Sequence, residues 1–129
     1  MTDLARCRIL LVEDEYMLAL DLQTQLEDVG AVVLGPEPSV AAALRRVADE
    51  PRIDAAVLDV NLGGEFVFPV AEALTARRVP FVFSSGYHDS VTRDRYPEVM
   101  NCTKPIDMRS LLKTLGTLID GAIASTDTP

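Results

Sequence analysis

Three carboxylates stand at the ends of two apolar runs. Ile9-Leu10-Leu11-Val12 leads into Glu13-Asp14, and Ala55-Ala56-Val57-Leu58 leads into Asp59. A short apolar run bounded by polar residues reads as a strand buried on both faces of a parallel sheet. Open sheets of that kind bind ligands at the carboxyl ends of their strands. Two adjacent strands would bring Glu13, Asp14 and Asp59 to one place, where like charges repel unless something positive lies between them. Mg²⁺ suits such a place, because it prefers oxygen ligands, takes one or two carboxylates and keeps waters for substrate phosphate. The next apolar run leads into Ser84-Ser85-Gly86, and the one after it into Lys104-Pro105. A carboxylate can attack phosphorus. A hydroxyl and an ammonium can then hold the added phosphoryl oxygens, since such transfer needs mostly positioning and charge neutralisation.

These groups meet only if the elements alternate, and the pattern says that they do. A strand over 8–12 precedes a helix over 15–29, with Leu18, Leu22, Leu26 and Val29 on one face and Gly30 at its end. A second strand over 31–34 is closed by Gly35-Pro36. Ser39 caps a helix over 40–49, and Pro51 punctuates it. The third strand covers 55–58, with a flexible loop at Gly63-Gly64. Pro69 suits the first turn of a helix reaching Arg78, and a fourth strand covers 79–83. The stretch 88–99 is polar, carries Pro97 and has room for a short helix. A fifth, edge-like strand follows at 100–103. Asp107 caps a last helix whose Leu111, Leu112, Leu115, Leu118 and Ile119 form one stripe. The sum is an α/β fold, (βα)5, a doubly wound five-stranded parallel sheet with helices on both faces. One domain is expected over 1–120, with a small, polar, flexible tail over 121–129.

Composition removes several function classes. At 129 residues, 48% hydrophobic and 25% charged, the chain fits one globular domain. A formal charge of −8 argues against a nucleic-acid-binding surface, which needs a basic stripe. No apolar run reaches the ~18 residues of a membrane span. Asp3, Arg6 and Arg8 interrupt any signal-peptide core, so a cytoplasmic location is expected. Cys7 and Cys102 are read as small reduced fillers on strands that are not neighbours. His88, the single histidine, is expected at the surface with no catalytic role.

With Glu13-Asp14, Asp59, Asn61, Ser85 and Lys104-Pro105 in this order, about residues 6 to 120 resemble the response-regulator receiver domain, the CheY-like phospho-acceptor half of two-component signalling. The runs at 58–65, Pro69-Val70-Ala71 and 80–87 also look like the single-domain "FAT GUY" receivers, with Ser84-Ser85 where Ala-Thr is usual. The resemblance implies a flavodoxin-like strand order, 2-1-3-4-5. It implies that Glu13, Asp14, Asp59 and the backbone carbonyl of Asn61 hold Mg²⁺, and that Asp59 is the phosphorylated residue. Ser85 would be the switch hydroxyl, and Lys104 would pair with the phosphoryl group. Many receivers carry an aromatic three residues before the lysine, where this chain has Asn101. Tyr87 is the candidate to replace it. The expected role is a single-domain response regulator, not an enzyme beyond its own phosphorylation and slow autodephosphorylation. Its donor would be a sensor histidine kinase or phosphotransfer protein, and its signal would leave by protein contact or onward transfer, from a monomer or weak homodimer.

Three other readings stand beside this one. A dehalogenase-like phosphatase also uses an Asp after a strand, but needs a second Asp two residues on, where Asn61 cannot serve as acid or base. A flavodoxin-like cofactor binder would offer N–H groups to phosphate after its first strand, where this chain offers Glu13-Asp14-Glu15. A pseudo-receiver that only binds partners would have no use for the full acidic, hydroxyl and lysine set.

Overall fold

The structure is a computed structural model and describes residues 3–86 and 90–127. Five strands form because their side chains are withdrawn from water on one or both faces of a sheet. Three of them, β1 (Arg8–Val12), β3 (Ala55–Asp59) and β6 (Phe81–Ser85), are buried almost throughout. The other two, β2 (Val32–Glu37) and β7 (Asn101–Thr103), are more exposed. All pair in parallel in the order β2-β1-β3-β6-β7, so β2 and β7 are the edges. Two short strands unseen in the sequence pattern, β4 (Asn61–Leu62) and β5 (Glu65–Phe66), form a separate antiparallel pair between β3 and β6. Without them, the main strands follow the expected 2-1-3-4-5 order.

Alternate residues of the strands supply two cores. Leu10 and Val12 of β1, Ala56 and Leu58 of β3 and Phe81 and Phe83 of β6 face one side. There they meet α2 (Val40–Asp49) and α3 (Phe68–Ala76) through Val40, Ala43, Val47, Phe68, Ala71 and Leu74. Ile9, Leu11, Ala55, Val57 and Val82 face the other side. That side is covered by Leu22 and Leu26 of α1 (Tyr16–Asp28) and by Leu111, Leu115 and Ile119 of α5 (Met108–Asp127). Each fully buried aliphatic side chain contributes ~1.5–3 kcal/mol relative to exposure. The short α4 (Ser90–Arg95) is tied down by aromatic contact: the Tyr96 ring lies 5.4 Å from Phe83 and 5.7 Å from Phe68. The Arg95 guanidinium sits 4.4 Å over the Phe68 ring and pairs with Glu72 at 3.1 Å.

Several boundaries differ from expectation for physical reasons. Helix α1 ends at Asp28, so Val29 stays exposed and Ala19 completes the buried face with Leu22 and Leu26. Strand β2 begins one residue late and runs through Gly35-Pro36 to Glu37. A register shift between the Leu10 and Val12 pairings absorbs the irregularity. Strand β6 includes both serines, because β3 and β7 pair with it up to Ser84 and Ser85 respectively. Helix α3 stops at Ala76, and Arg78 turns into positive φ, +59°. Helix α5 continues past Gly121 to Asp127, across the segment expected as a tail. A glycine inside a helix costs only ~1 kcal/mol against alanine, and Ala122 and Ala124 just beyond it favour helix. Ser39 caps α2 as expected, its hydroxyl accepting the Ala42 N–H at 3.1 Å. Asp107 accepts the Arg109 N–H at 3.1 Å at the start of α5. Both cysteines are free thiols, and burial pushes each pKa up. Among the described residues, no helix is long and apolar enough to cross a membrane.

Gly35 shows how tightly β2 lies against β1. Its φ is +112°, and an added Cβ would lie 2.7 Å from the Leu11 carbonyl oxygen. Gly63 also has positive φ, +60°, but faces open space. Gly35→Ala should destabilise the fold by ~3 kcal/mol or more, through strain and backbone clash together. Gly63→Ala should cost about 1 kcal/mol, from the left-handed backbone alone. Urea unfolding midpoints of the two variants test the difference.

Candidate functional site

The site is built where strand ends come level. Val12 and Leu58 are register partners, so Glu13 and Asp59 leave the sheet side by side. Glu13 is 3% exposed and Asp59 5%, whereas Asp14 is exposed. Carboxylate oxygens of the three lie within 4.8 Å of one another. Backbone groups fix each one. The Glu13 N–H donates to the Glu37 carbonyl at 3.0 Å, which is possible because β2 runs past Gly35-Pro36. Glu13 Oε2 accepts the Glu15 N–H at 3.0 Å, the bond that opens α1 in place of a side-chain cap. Asp59 Oδ1 accepts the Asn61 N–H at 3.4 Å.

The β4–β5 hairpin supports the third carboxylate. Gly63 and Gly64 both take positive φ, +60° and +92°, as a tight hairpin turn requires. Asn61 Oδ1 accepts the Gly64 N–H at 2.8 Å, and the Gly63 N–H donates to Asp14 Oδ2 at 3.0 Å. What the sequence presents as a flexible loop is thus a turn that holds Asp14 beside Asp59. The side chain of Asn61 serves the turn, while its backbone N–H faces Asp59.

Lys104 follows β7 and reaches back across the sheet end. Its Nζ donates to Asp59 Oδ2 at 3.4 Å and stands 3.3 Å from Glu13 Oε1. The second contact is an ion pair without hydrogen-bond alignment, so buried Glu13 Oε1 has no hydrogen-bond donor among the described residues. One ammonium therefore serves two buried carboxylates. Burial pushes the Asp59 pKa up to about 7, and neighbouring Glu13 adds to the shift; Lys104 and the Asn61 N–H oppose it without cancelling it. Burial draws the Lys104 pKa down, but Asp59 and Glu13 outweigh that and hold it above its ordinary value. Three converging carboxylates with one ammonium among them fit a hard divalent cation.

Ser85 closes β6 at the same end of the sheet, 6% exposed. Its carbonyl accepts the Lys104 N–H at 2.8 Å, and its hydroxyl donates to Asn101 Oδ1 at 3.1 Å. Neighbouring Ser84 is the register partner of Asp59, and its buried hydroxyl has no hydrogen-bond partner among the described residues. The structure therefore brings together Glu13, Asp14, Asp59, Asn61, Ser85 and Lys104. Tyr87, the expected replacement for the missing aromatic, lies outside the described residues, as does His88. Asn101 stands out in the sequence only as a departure from pattern. Its contact with Ser85 crosses two strands, and no local spacing announces it.

No family model matches the chain. Similarity appears in solved structures. The chain is 44% identical to SdrG from Sphingomonas melonis Fr1, with a TM-score of 0.77 over 92% of this chain and 99% of that one. The BeF3-activated conformation of SdrG from Pseudomonas melonis Fr1 gives 43% identity and a TM-score of 0.73, over 89% and 98%. A response regulator receiver protein from Sinorhizobium medicae WSM419 is 25% identical, with a TM-score of 0.82 over 91% and 97%. Among curated proteins, the phyllosphere-induced regulator PhyR of Methylorubrum extorquens strain AM1 is 27% identical over 92 residues, which are 70% of this chain. The match covers 34% of PhyR, so the chain spans about a third of that relative's length.

The raised Asp59 pKa makes stability depend on pH. Unfolded, Asp59 releases its proton near the ordinary carboxylate value; folded, it does so near 7. The folded state holds more protons across that window, so this contribution is fully present below about pH 4 and lost as pH rises through about 7. With divalent cations chelated, unfolding free energy should fall by roughly 1–4 kcal/mol from pH 4.5 to pH 8 through this group. Asp59→Asn should be the more stable protein at pH 8 and should lose most of that slope. Urea titrations at the two pH values decide it: a wild-type slope retained in the variant would clear Asp59 of the effect.

Proposed function

We propose that this chain, which belongs to the response-regulator receiver family, accepts a phosphoryl group on Asp59 in a Mg²⁺-dependent reaction. The observation that carries the reading is a buried carboxylate, Asp59, touching Lys104 and flanked by the acidic pair Glu13-Asp14. Glu13, Asp14, Asp59 and the backbone carbonyl of Asn61 would hold the metal. When bound, Mg²⁺ supplies positive charge that offsets these carboxylates and the incoming phosphoryl oxygens.

The chemistry belongs to Asp59. A carboxylate oxygen attacks phosphorus and forms a new O–P bond. The P–N bond of a phosphohistidine donor, or the P–O bond of acetyl phosphate, breaks as its electron pair leaves with the donor. The Lys104 ammonium, within reach of Asp59, pairs with one phosphoryl oxygen. The Ser85 hydroxyl turns to donate to another. Asn61 cannot act as the acid or base of a phosphatase, and its side chain is engaged by the Gly64 N–H. The product is therefore an acyl phosphate that hydrolyses slowly, not a turnover cycle.

The donor is read as a protein, a sensor histidine kinase or phosphotransfer protein in the cytoplasm. Tyr16, Met17 and Leu20 leave an apolar strip exposed on the first turns of α1, directly after Glu13-Asp14, where a donor must approach. The BeF3-activated form described for SdrG fits a site of this kind. The signal then passes by protein contact or by onward phosphotransfer.

Acetyl phosphate with Mg²⁺ should add one phosphoryl group, detected as intact-protein mass, and Asp59→Ala should abolish it. Undiminished labelling of that variant would sink the assignment. Ser85→Ala should retain part of the labelling but show smaller chemical-shift changes at the β6 end on beryllofluoride binding. Identical changes in the variant would remove Ser85 from the switch.

A further inference from the structure

Asn101 occupies the place where an inward-turning aromatic is usual, and the structure gives it a partner. It stands in register opposite Phe83. Side chains on one face of a sheet recur every second residue, so Asn101 and Ser85 are diagonal neighbours on the same face. The Ser85 hydroxyl donates to Asn101 Oδ1 at 3.1 Å. Ser85 is buried and Asn101 half-buried, so water does not freely replace a partner lost by either. The backbone around the pair is pinned: the Phe83 N–H donates to the Met100 carbonyl at 2.9 Å, and the Lys104 N–H to the Ser85 carbonyl at 2.8 Å. A change of partner by Ser85 is therefore a side-chain rotation and not a strand slip.

We infer that Asn101 is a positioning residue that competes with the phosphoryl group for the single proton of the Ser85 hydroxyl. A serine hydroxyl has one O–H to donate. In the free protein that proton goes to Asn101 Oδ1. When a phosphoryl oxygen takes it, Asn101 loses its donor on the face it shares with Phe83, whose ring packs 5.4 Å from Tyr96. The carboxamide must turn to find another donor, beside the ring cluster that anchors α4. Asn101 thus sets how readily the site closes and carries the change outward, with no aromatic swing. This rests on the phospho-acceptor reading of Asp59.

Two measurements separate the latch from that reading. In the free protein, Ser85→Ala should shift the side-chain carboxamide resonances of Asn101 without any phosphoryl mimic; unmoved resonances overturn the latch. Beryllofluoride titration then tests the competition. Asn101→Ala should bind roughly five-fold tighter than wild type, the factor of one ordinary neutral hydrogen bond. Asn101→Leu, which keeps similar volume without the acceptor, should do the same. In a Ser85→Ala background neither substitution should change the affinity. Equal effects in both backgrounds, or none in either, overturn the competition. A wild-type protein that fails to bind beryllofluoride while the Asn101 resonances still respond to Ser85→Ala overturns the phospho-acceptor reading and the competition with it, but leaves the Ser85–Asn101 contact standing.

Discussion

Two buried carboxylates sharing one ammonium set the terms for everything around them. Glu13 and Asp59 sit almost fully out of water, and Lys104 reaches both. Removing charges from water is costly, and one cation cannot neutralise two anions. Burial, with Glu13 beside it, pushes the Asp59 pKa up; burial draws the Lys104 pKa down, but the two carboxylates outweigh that and raise it. The imbalance also leaves the pocket, with three converging carboxylates, short of positive charge. The stability given up there is met by two apolar cores, one on each face of the sheet.

That arrangement depends on strand register more than on any single contact. β1 and β3 end level, so Glu13 and Asp59 emerge together. β3 pairs with β6 as far as Ser84, and β6 with β7 as far as Ser85, so Lys104 starts its reach from the same end. A one-residue slip would turn every one of these side chains to the opposite face. Gly35 guards one such register by letting β2 lie close against Leu11, and the carried-through strand then hands the Glu37 carbonyl to Glu13. The β4–β5 hairpin does similar work for Asp14 through the Gly63 N–H.

The main strands, the helices and the acidic, hydroxyl and lysine groups were legible because each is a local pattern. Buried strands read as short apolar runs, and α2 and α5 announced their caps with Ser39 and Asp107. Boundaries failed where tertiary contact overrode local chemistry. Glycine and proline at 35–36 look like a stop, yet pairing with β1 carries β2 through them. Ser84 and Ser85 look like loop residues, yet neighbours on both sides of β6 hold them in the sheet. Gly63-Gly64 looks like slack chain, yet the hydrogen bonds of the Gly64 N–H to Asn61 and of the Gly63 N–H to Asp14 make it a tight turn.

What the sequence determined by itself is the chemical inventory and its order. Acids follow the first and third main strands, hydroxyls the fourth and a lysine the fifth, and the period of the apolar residues makes those strands. The distances belong to the tertiary structure, because they join residues far apart in the chain. The 3.4 Å contact of Lys104 with Asp59, the burial of Glu13 and the Ser85–Asn101 hydrogen bond all follow from strand pairing. Asn101 makes the point most plainly. In the sequence it is only an absent aromatic; across the β6–β7 ladder it becomes the acceptor of the Ser85 hydroxyl, because parallel pairing places every second residue of two strands on one face.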